Sequence, residues 1–267
     1  MFSRQELASG FRRLGIVPGD IVMVHASVRS VGEAAGGPDQ IHLALKDAVT
    51  SEGTLLMYAS CPRYVDEVGR GNLTPEQERE VLEKLPAFDP LTARSERDNG
   101  ALVELLRTSP GSLVNPHPAR FVVWGARAEH LISVQPWNYA FGQNSVLDRF
   151  VQLGGKILLI GCDHDNVTFL HYAEHIVDIP GKLVSKFRVP INEDGVRVWR
   201  DMEEFDTSER AHPSWPDRFF ARIVDRHLEQ SGNRGGRVGN AGCFLISARP
   251  LLDCALEMMK RAAHEAS

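Results

Sequence analysis

Apolar residues recur along the chain in short runs separated by amphipathic stretches, the rhythm of strands alternating with helices. Ser3 and Glu6 precede Leu7, Phe11 and Leu14 at capping-box spacing, which predicts a first helix ending near Gly15. Pro18, Gly19 and Asp20 then turn the chain into the apolar strand Ile21–His25. Pro38–Val49 reads as a helix stopped by Gly53, and Thr54–Tyr58 as a second core strand. Thr74 with Gln77, and Pro75 at the first helical position, open a charged helix to Leu85. Phe88–Pro90 leads into an irregular polar segment through Asn99, then a short helix over Gly100–Thr108. A strand at Arg120–Trp124, helices around Arg127–Ser133 and from Ser145 to Leu153, and the buried run Ile157–Ile160 follow.

The last third changes rhythm. Lys182–Val189 and Val196–Met202 flank Asn192-Glu193-Asp194-Gly195, a strong hairpin signal. Glu203, Glu204, Asp206 and Glu209 form an acidic cluster that reads by default as a solvated run. A helix around Asp217–Gln230, a Gly-rich turn at Gly232–Gly239, a strand near Cys243–Ile246 and a helix from Pro250 to Ala263 complete the chain. The pattern predicts an α/β fold with a mixed central sheet flanked by helices and an antiparallel hairpin added in the C-terminal third. With no repeat or linker, residues 1–267 read as one domain.

The stretch Gly161–Pro180 carries the most chemistry. It follows a buried strand and reads as a helix, at about 100° per residue. Thr168, His171, Glu174, His175 and Asp178 then share one arc, and Phe169, Leu170, Tyr172, Ala173, Ile176 and Val177 the other. Residues 171–175 match H-x-x-E-H, in which two imidazoles bind zinc and the Glu activates water, although a catalytic zinc needs a third protein ligand as well. A metal-free reading makes His171 a general base, Glu174 the partner of its other ring nitrogen, and Thr168 a donor to a carbonyl or thioester. A solvated helix face accounts for the same pattern.

Other segments offer ligand contacts or plain connections. The turn after the first strand presents backbone N–H groups, the Ser27 and Ser30 hydroxyls and Arg29 to an anion. The loop from Ser60 to Asn72 carries Arg63, Tyr64, Asp66 and Glu67 at a strand end. His117 is stiffened between two prolines, and Gln135–Ser145 mixes aromatics with amides, a wall for a ring-shaped ligand or a loop pinned by Trp137 and Phe141.

Composition narrows the classes. At 43% hydrophobic and 24% charged the chain is ordinary for a globular protein, and a net charge of −5 leaves no basic footprint for nucleic acid. A cationic or neutral small molecule fits that balance better. The four cysteines, Cys61, Cys162, Cys243 and Cys254, lack C-x-x-C spacing and read as reduced thiols. The first residues have no continuous apolar run of a secretory signal, and no stretch reaches membrane-span length, so a soluble, cytoplasmic protein is expected. A Gly-x-Ser-x-Gly elbow, a P-loop and a G-x-G-x-x-G are all missing.

Together these segments resemble the aminoglycoside 3-N-acetyltransferases, antibiotic N-acetyltransferases distinct from the GNAT superfamily. The resemblance rests on RRLGIVPGDIVMVHASVRSVG, GTLLMYAS, FDP, the pair His117-Pro118, FGQNSVLDRFVQLGGKILLIG and VTFLHYAEHIVDIPGK, in family order over nearly the whole chain. It implies an acetyl-CoA-dependent enzyme of antibiotic resistance that acetylates the 3-amino group of a 2-deoxystreptamine ring by direct transfer, with no metal. Its partners would be CoA and a polycationic aminoglycoside, not nucleic acid or membrane. The resemblance implies His171 as base with Glu174 beside it, and Thr168 towards the thioester. CoA contacts would fall on Ser27, Val28, Arg29, Ser30 and Val31. Antibiotic contacts would fall on Tyr64, Asp66 and Glu67 after the second strand and on Glu204 and Asp206 after the hairpin. Asp163 and Asp165, around His164 in a segment that varies within the family, would tune substrate choice or cap the helix. Tyr139 stands where some relatives carry a His. A zinc hydrolase built on H-x-x-E-H and a small-molecule-binding relative without turnover are the alternatives.

Overall fold

A computed structural model describes residues 1–61, 73–206 and 211–265. Its centre is β1 (Ile21–Ala26), which pairs in parallel with β2 (Thr54–Tyr58) on one side and β5 (Lys156–Ile160) on the other. Around these, β3 (Ser112–Val114), β4 (Phe121–Gly125), β8 (Gly236–Val238) and β9 (Ala241–Ser247) add antiparallel neighbours. The sheet order is β3-β4-β2-β1-β5-β9-β8. Side chains alternate between two cores: Met23, Leu56, Ile157 and Leu159 face one, and Val22, Val24, Leu55 and Leu158 the other. Burial on both faces is why these strands read as unbroken apolar runs.

Helices close each face. The first core lies under α7 (Val146–Gln152) and α10 (Ala248–Glu265), through Phe150, Leu251 and Leu252. The second lies under α1 (Arg4–Leu14) and α3 (Asp39–Val49), through Leu7, Phe11, Ile41 and Leu45. The predicted capping box is present: the Ser3 hydroxyl accepts from Glu6 N at 3.2 Å and Ser3 N donates to Glu6 Oε2 at 2.8 Å. The same reciprocal pair, Thr74 with Gln77, opens α4 (Pro75–Lys84). Shorter helices are α2 (Val28–Val31), α5 (Ala101–Arg107) and α6 (Ala128–Ile132).

The hairpin is a separate two-stranded sheet, β6 (Val184–Glu193) with β7 (Val196–Phe205). Asp194 and Gly195 take φ of 51° and 83°, the left-handed pair of a type I′ turn, and Asn192 Oδ1 accepts from Gly195 N at 2.9 Å. Phe88 N donates to Pro190 O at 2.6 Å and Asn192 N to Phe88 O at 2.8 Å, so the hairpin docks on the segment after α4. Phe88, Val189, Ile191 and Met202 form a small third core there.

Three expectations change. β7 extends to Phe205, so Glu203 and Glu204 belong to a paired strand and not to a solvated run; Glu209 lies outside the described residues. The Gly-rich turn contains β8. Gly161–Pro180 is not one helix: a 3-10 turn at His164–Asn166 precedes α8 (Leu170–Ile176), only seven residues long. Lys182 Nζ ends α8 by donating to the carbonyls of Glu174, His175 and Val177 at 3.2, 3.0 and 3.0 Å, which leaves Asp178 beyond the helix. No helix among the described residues is long and apolar enough to cross a membrane.

Candidate active site

A cavity of about 290 Å³ opens at the C-terminal ends of β1 and β2 and beside the loop that follows β5. This is where the chain leaves β1 with a parallel strand on either side, the position at which α/β sheets accept ligands. His25 and Ala26 line it from β1, Tyr58 from β2, and Asp165, Thr168 and His171 from the segment after β5.

His171 and Glu174 sit at i and i+3 on α8, which brings their side chains together. His171 Nδ1 lies 2.6 Å from Glu174 Oε2, with the imidazole 22% exposed and the carboxylate 5%. The acceptor-only carboxylate fixes the ring as an Nδ1–H donor and leaves the Nε2 lone pair for a ligand. Phe141 stacks on the ring at 5.1 Å and 30°, and Phe220 of α9 (Phe219–Ser231) meets it edge-on at 5.0 Å. Thr168 is buried in the turn before α8, and its carbonyl accepts from His171 N at 3.1 Å.

His175 has a different environment. Its Nδ1 donates to His171 O at 2.6 Å, its Nε2 bonds Glu204 Oε1, and the side chain is 1% exposed. Both ring nitrogens are occupied, so the paired-imidazole zinc arrangement of H-x-x-E-H is not built. Among the described residues no group of three or more His, Cys, Asp or Glu is placed to hold a metal ion.

His25 adds a second imidazole to the cavity wall. Its Nε2 is sealed from solvent without a hydrogen-bond partner among the described residues, and desolvation, to which the nearby His171 ring adds whenever it is protonated, pushes its pKa down to about 4. His117 is also pushed to about 4 by burial, but its ring is satisfied by backbone: Ala119 N donates to Nδ1 at 2.9 Å, and Nε2 donates to Trp137 O at 3.2 Å. Burial likewise raises the Cys162 thiol, on the cavity wall, above its usual range.

The turn Ser27–Val31 sits directly on the segment after β5. Ser27 N donates to Ile160 O at 2.9 Å, and Ser30 Oγ lies 2.9 Å from Ser27 Oγ and 3.0 Å from Gly161 O. Arg29 is exposed, Val28 is half-buried, and Val31 points into the core.

The acidic residues separate by what holds them. Both Asp163 oxygens take the Arg218 guanidinium, at 2.6 and 2.7 Å, and the Asp165 N–H on one of them is the main cause that holds its pKa low. Asp165 Oδ1 accepts from Ala221 N at 2.9 Å, which ties the first turn of α9 to the cavity wall. Glu204 is spent on His175, on Phe205 N at 2.9 Å and on Ala140 N at 2.7 Å. Asp206 is half-buried just beyond β7 and donates its N–H to Leu183 O at 2.9 Å. Tyr64, Asp66 and Glu67 lie outside the described residues. Tyr139 donates its hydroxyl to Glu203, which raises its own pKa to about 12.

Several cavity residues carried no sequence signal. Asp98 and Asn99 come from a 3-10 turn within the irregular polar segment, and Phe220 comes from a helix 49 positions after His171, where no local pattern links the two. Their proximity to His171 is a product of topology.

Comparison with known proteins sets this site in context. The family model for aminoglycoside 3-N-acetyltransferase matches residues 23–260. Aminoglycoside N(3)-acetyltransferase III of Pseudomonas aeruginosa is 36% identical over 259 residues, which cover 95% of this chain and 92% of the relative. Aminoglycoside N(3)-acetyltransferase VII of Streptomyces paromomycinus is 35% identical, with 97% and 91% covered. Among solved structures, the AAC-IIIb binary with CoASH superposes with a TM-score of 0.89 at 38% identity, covering 97% of this chain and 96% of the other. AAC-VIa bound to sisomicin gives 0.90 at 32%, covering 98% of each. The class is thereby an acyltransferase. The chain belongs to the aminoglycoside 3-N-acetyltransferase family.

Proposed function

We propose that the protein transfers the acetyl group of acetyl-CoA directly to the 3-amino group of the 2-deoxystreptamine ring of an aminoglycoside, with His171 as the base. The carrying observation is the cavity-facing imidazole backed at 2.6 Å by the buried Glu174 carboxylate. The neighbours that hold CoASH and sisomicin support the two ligand classes.

The chemistry follows from the charge of the substrate. An aminoglycoside reaches the site as a polycation, and an ammonium has no lone pair for attack. His171 Nε2 takes a proton from the 3-ammonium, and Glu174 stabilises the imidazolium that forms. The freed amine adds to the thioester carbonyl, the N–C bond forms, the C–S bond breaks, and the second proton lost by the attacking nitrogen passes to the leaving CoA thiolate. Thr168 donates to the carbonyl oxygen as charge develops on it. Holding amine and thioester side by side supplies much of the remaining acceleration.

CoA is assigned to Ser27, Val28, Arg29, Ser30 and Val31, whose turn adjoins the cavity through Ala26. Of the acidic candidates, Asp165 has support as a direct contact because it lines the cavity. Asp163 and Glu204 act by holding Arg218 and His175 in place, and Asp206 keeps its expected role after the hairpin. Tyr64, Asp66 and Glu67 keep theirs on the resemblance alone. Incubation with acetyl-CoA and a panel of 2-deoxystreptamine aminoglycosides should release CoA thiol and give product acetylated at N3. No thiol release across the panel would overturn the substrate class.

A further inference from the structure

Among the described residues, Asp98 and Asp165 are the carboxylates on the wall of the cavity that holds His171. Asp165 spends one oxygen on the N–H of Ala221. Asp98 is exposed and has no ion pair or hydrogen bond to any described residue, whereas Glu104 pairs with Arg107 and Asp163 with Arg218. Its mount is nonetheless firm. Asn99 Nδ2 donates to Ser60 Oγ at 3.1 Å, Asn99 N donates to Glu96 O at 3.1 Å, and a Cβ on Gly100 would stand 3.3 Å from Ala26 O. The turn is therefore packed against the end of β1, with its acid facing the cavity.

A fixed carboxylate stabilises the protonated form of any amine it touches. It would hinder reaction at the amine that must lose its proton, and it suits an ammonium that keeps its charge. From this juxtaposition we infer that Asp98 is a specificity-determining residue: its carboxylate pairs with an aminoglycoside ammonium other than the reacting one and so retains antibiotics that carry a charge there. The inference rests on the function proposed above. It divides the cavity into a charge-holding side at Asp98 and a proton-accepting side at His171. Substrates with an ammonium within reach of Asp98 are favoured over analogues that carry a hydroxyl there.

The test is steady-state kinetics of the full chain with Asp98→Asn and Asp98→Glu, varying acetyl-CoA and an aminoglycoside in turn. For D98N the KM for aminoglycoside rises about tenfold, as expected for loss of one charge-assisted contact. The kcat and the KM for acetyl-CoA stay within about twofold. D98E recovers part of the loss, and the fall of kcat/KM with added salt is shallower in D98N than in the parent. An unchanged aminoglycoside KM in D98N, or a collapse of kcat at unchanged KM, overturns the assignment. A parent protein that releases no CoA with any aminoglycoside refutes the function instead. Calorimetric binding of the same aminoglycoside to parent and D98N then reads the pairing separately, and equal affinities refute it.

Discussion

Two imidazoles one turn apart on α8 each meet a carboxylate, and their situations are opposite. In the His171–Glu174 pair the carboxylate is hidden and the imidazole is reachable, at 5% and 22% exposure. In the His175–Glu204 pair the imidazole is hidden, at 1%, and the carboxylate comes from β7, 29 positions away. A reachable ring braced from behind can accept a proton and return it. A hidden ring with both nitrogens bound cannot exchange with a substrate, and it fastens the hairpin to α8 instead. On the proposed reading the same two residue types serve as a reactive group and as a fastener, and burial decides which.

Breaking each pair separately should produce different failures. The largest effect is expected from His171→Ala, which should lower kcat/KM by about a thousandfold, within the range for loss of a general base. Its thermal midpoint should hardly move, and near-normal turnover would remove His171 from the base role. His175→Ala should do the reverse. Stripping a buried partner from Glu204 costs about 3 kcal/mol of stability. Urea titration reads that loss, and the protein that stays folded should keep kcat within a few-fold. Equal losses of activity in the two variants would mean that the two pairs serve the same role.

Acid should probe the buried rings next. The pKa of His117 is about 4 in the folded protein against 6.5 for an unburied ring, and His25 is also near 4. As pH falls below about 6.5 the unfolded chain takes up these protons and the native chain does not, so stability falls with pH down to about 4. The slope is at most about 1.4 kcal/mol per pH unit for each ring, and it vanishes above the unfolded value. Denaturation midpoints from pH 4.5 to 7 should show it, and His117→Gln should flatten it; the same slope in H117Q would shift the cause to other groups. The smallest effect is expected from Phe220→Ala. Losing one ring contact to His171, worth about 1 kcal/mol, should lower kcat a few-fold with little change in folding. A stability loss as large as that of His175→Ala would mean that Phe220 serves the core more than the imidazole.

What the sequence makes legible is local. Ser3 with Glu6, Thr74 with Gln77 and Asp194-Gly195 place two helix starts and a hairpin because each signal is completed within a few residues. The β1, β2 and β5 runs are equally plain, since strands buried on both faces leave no polar alternation to blur them. His171 and Glu174 are visible because their spacing is helical. The length of α8 is not, because Lys182 ends it from beyond the helix. Glu204 gives no sign of its bond to His175, and Asp98 none of its place on the cavity wall, because both follow from how distant segments cross.

Gly161 connects these crossings. It takes φ of 57°, and a Cβ there would stand 2.3 Å from the Cβ of Ser30. The turn proposed to hold the acetyl donor and the loop leading to the proposed base therefore touch backbone to side chain, with no room for a methyl group. On the proposed reading, the distance over which the acetyl group travels is set by a residue that has no side chain and touches neither substrate.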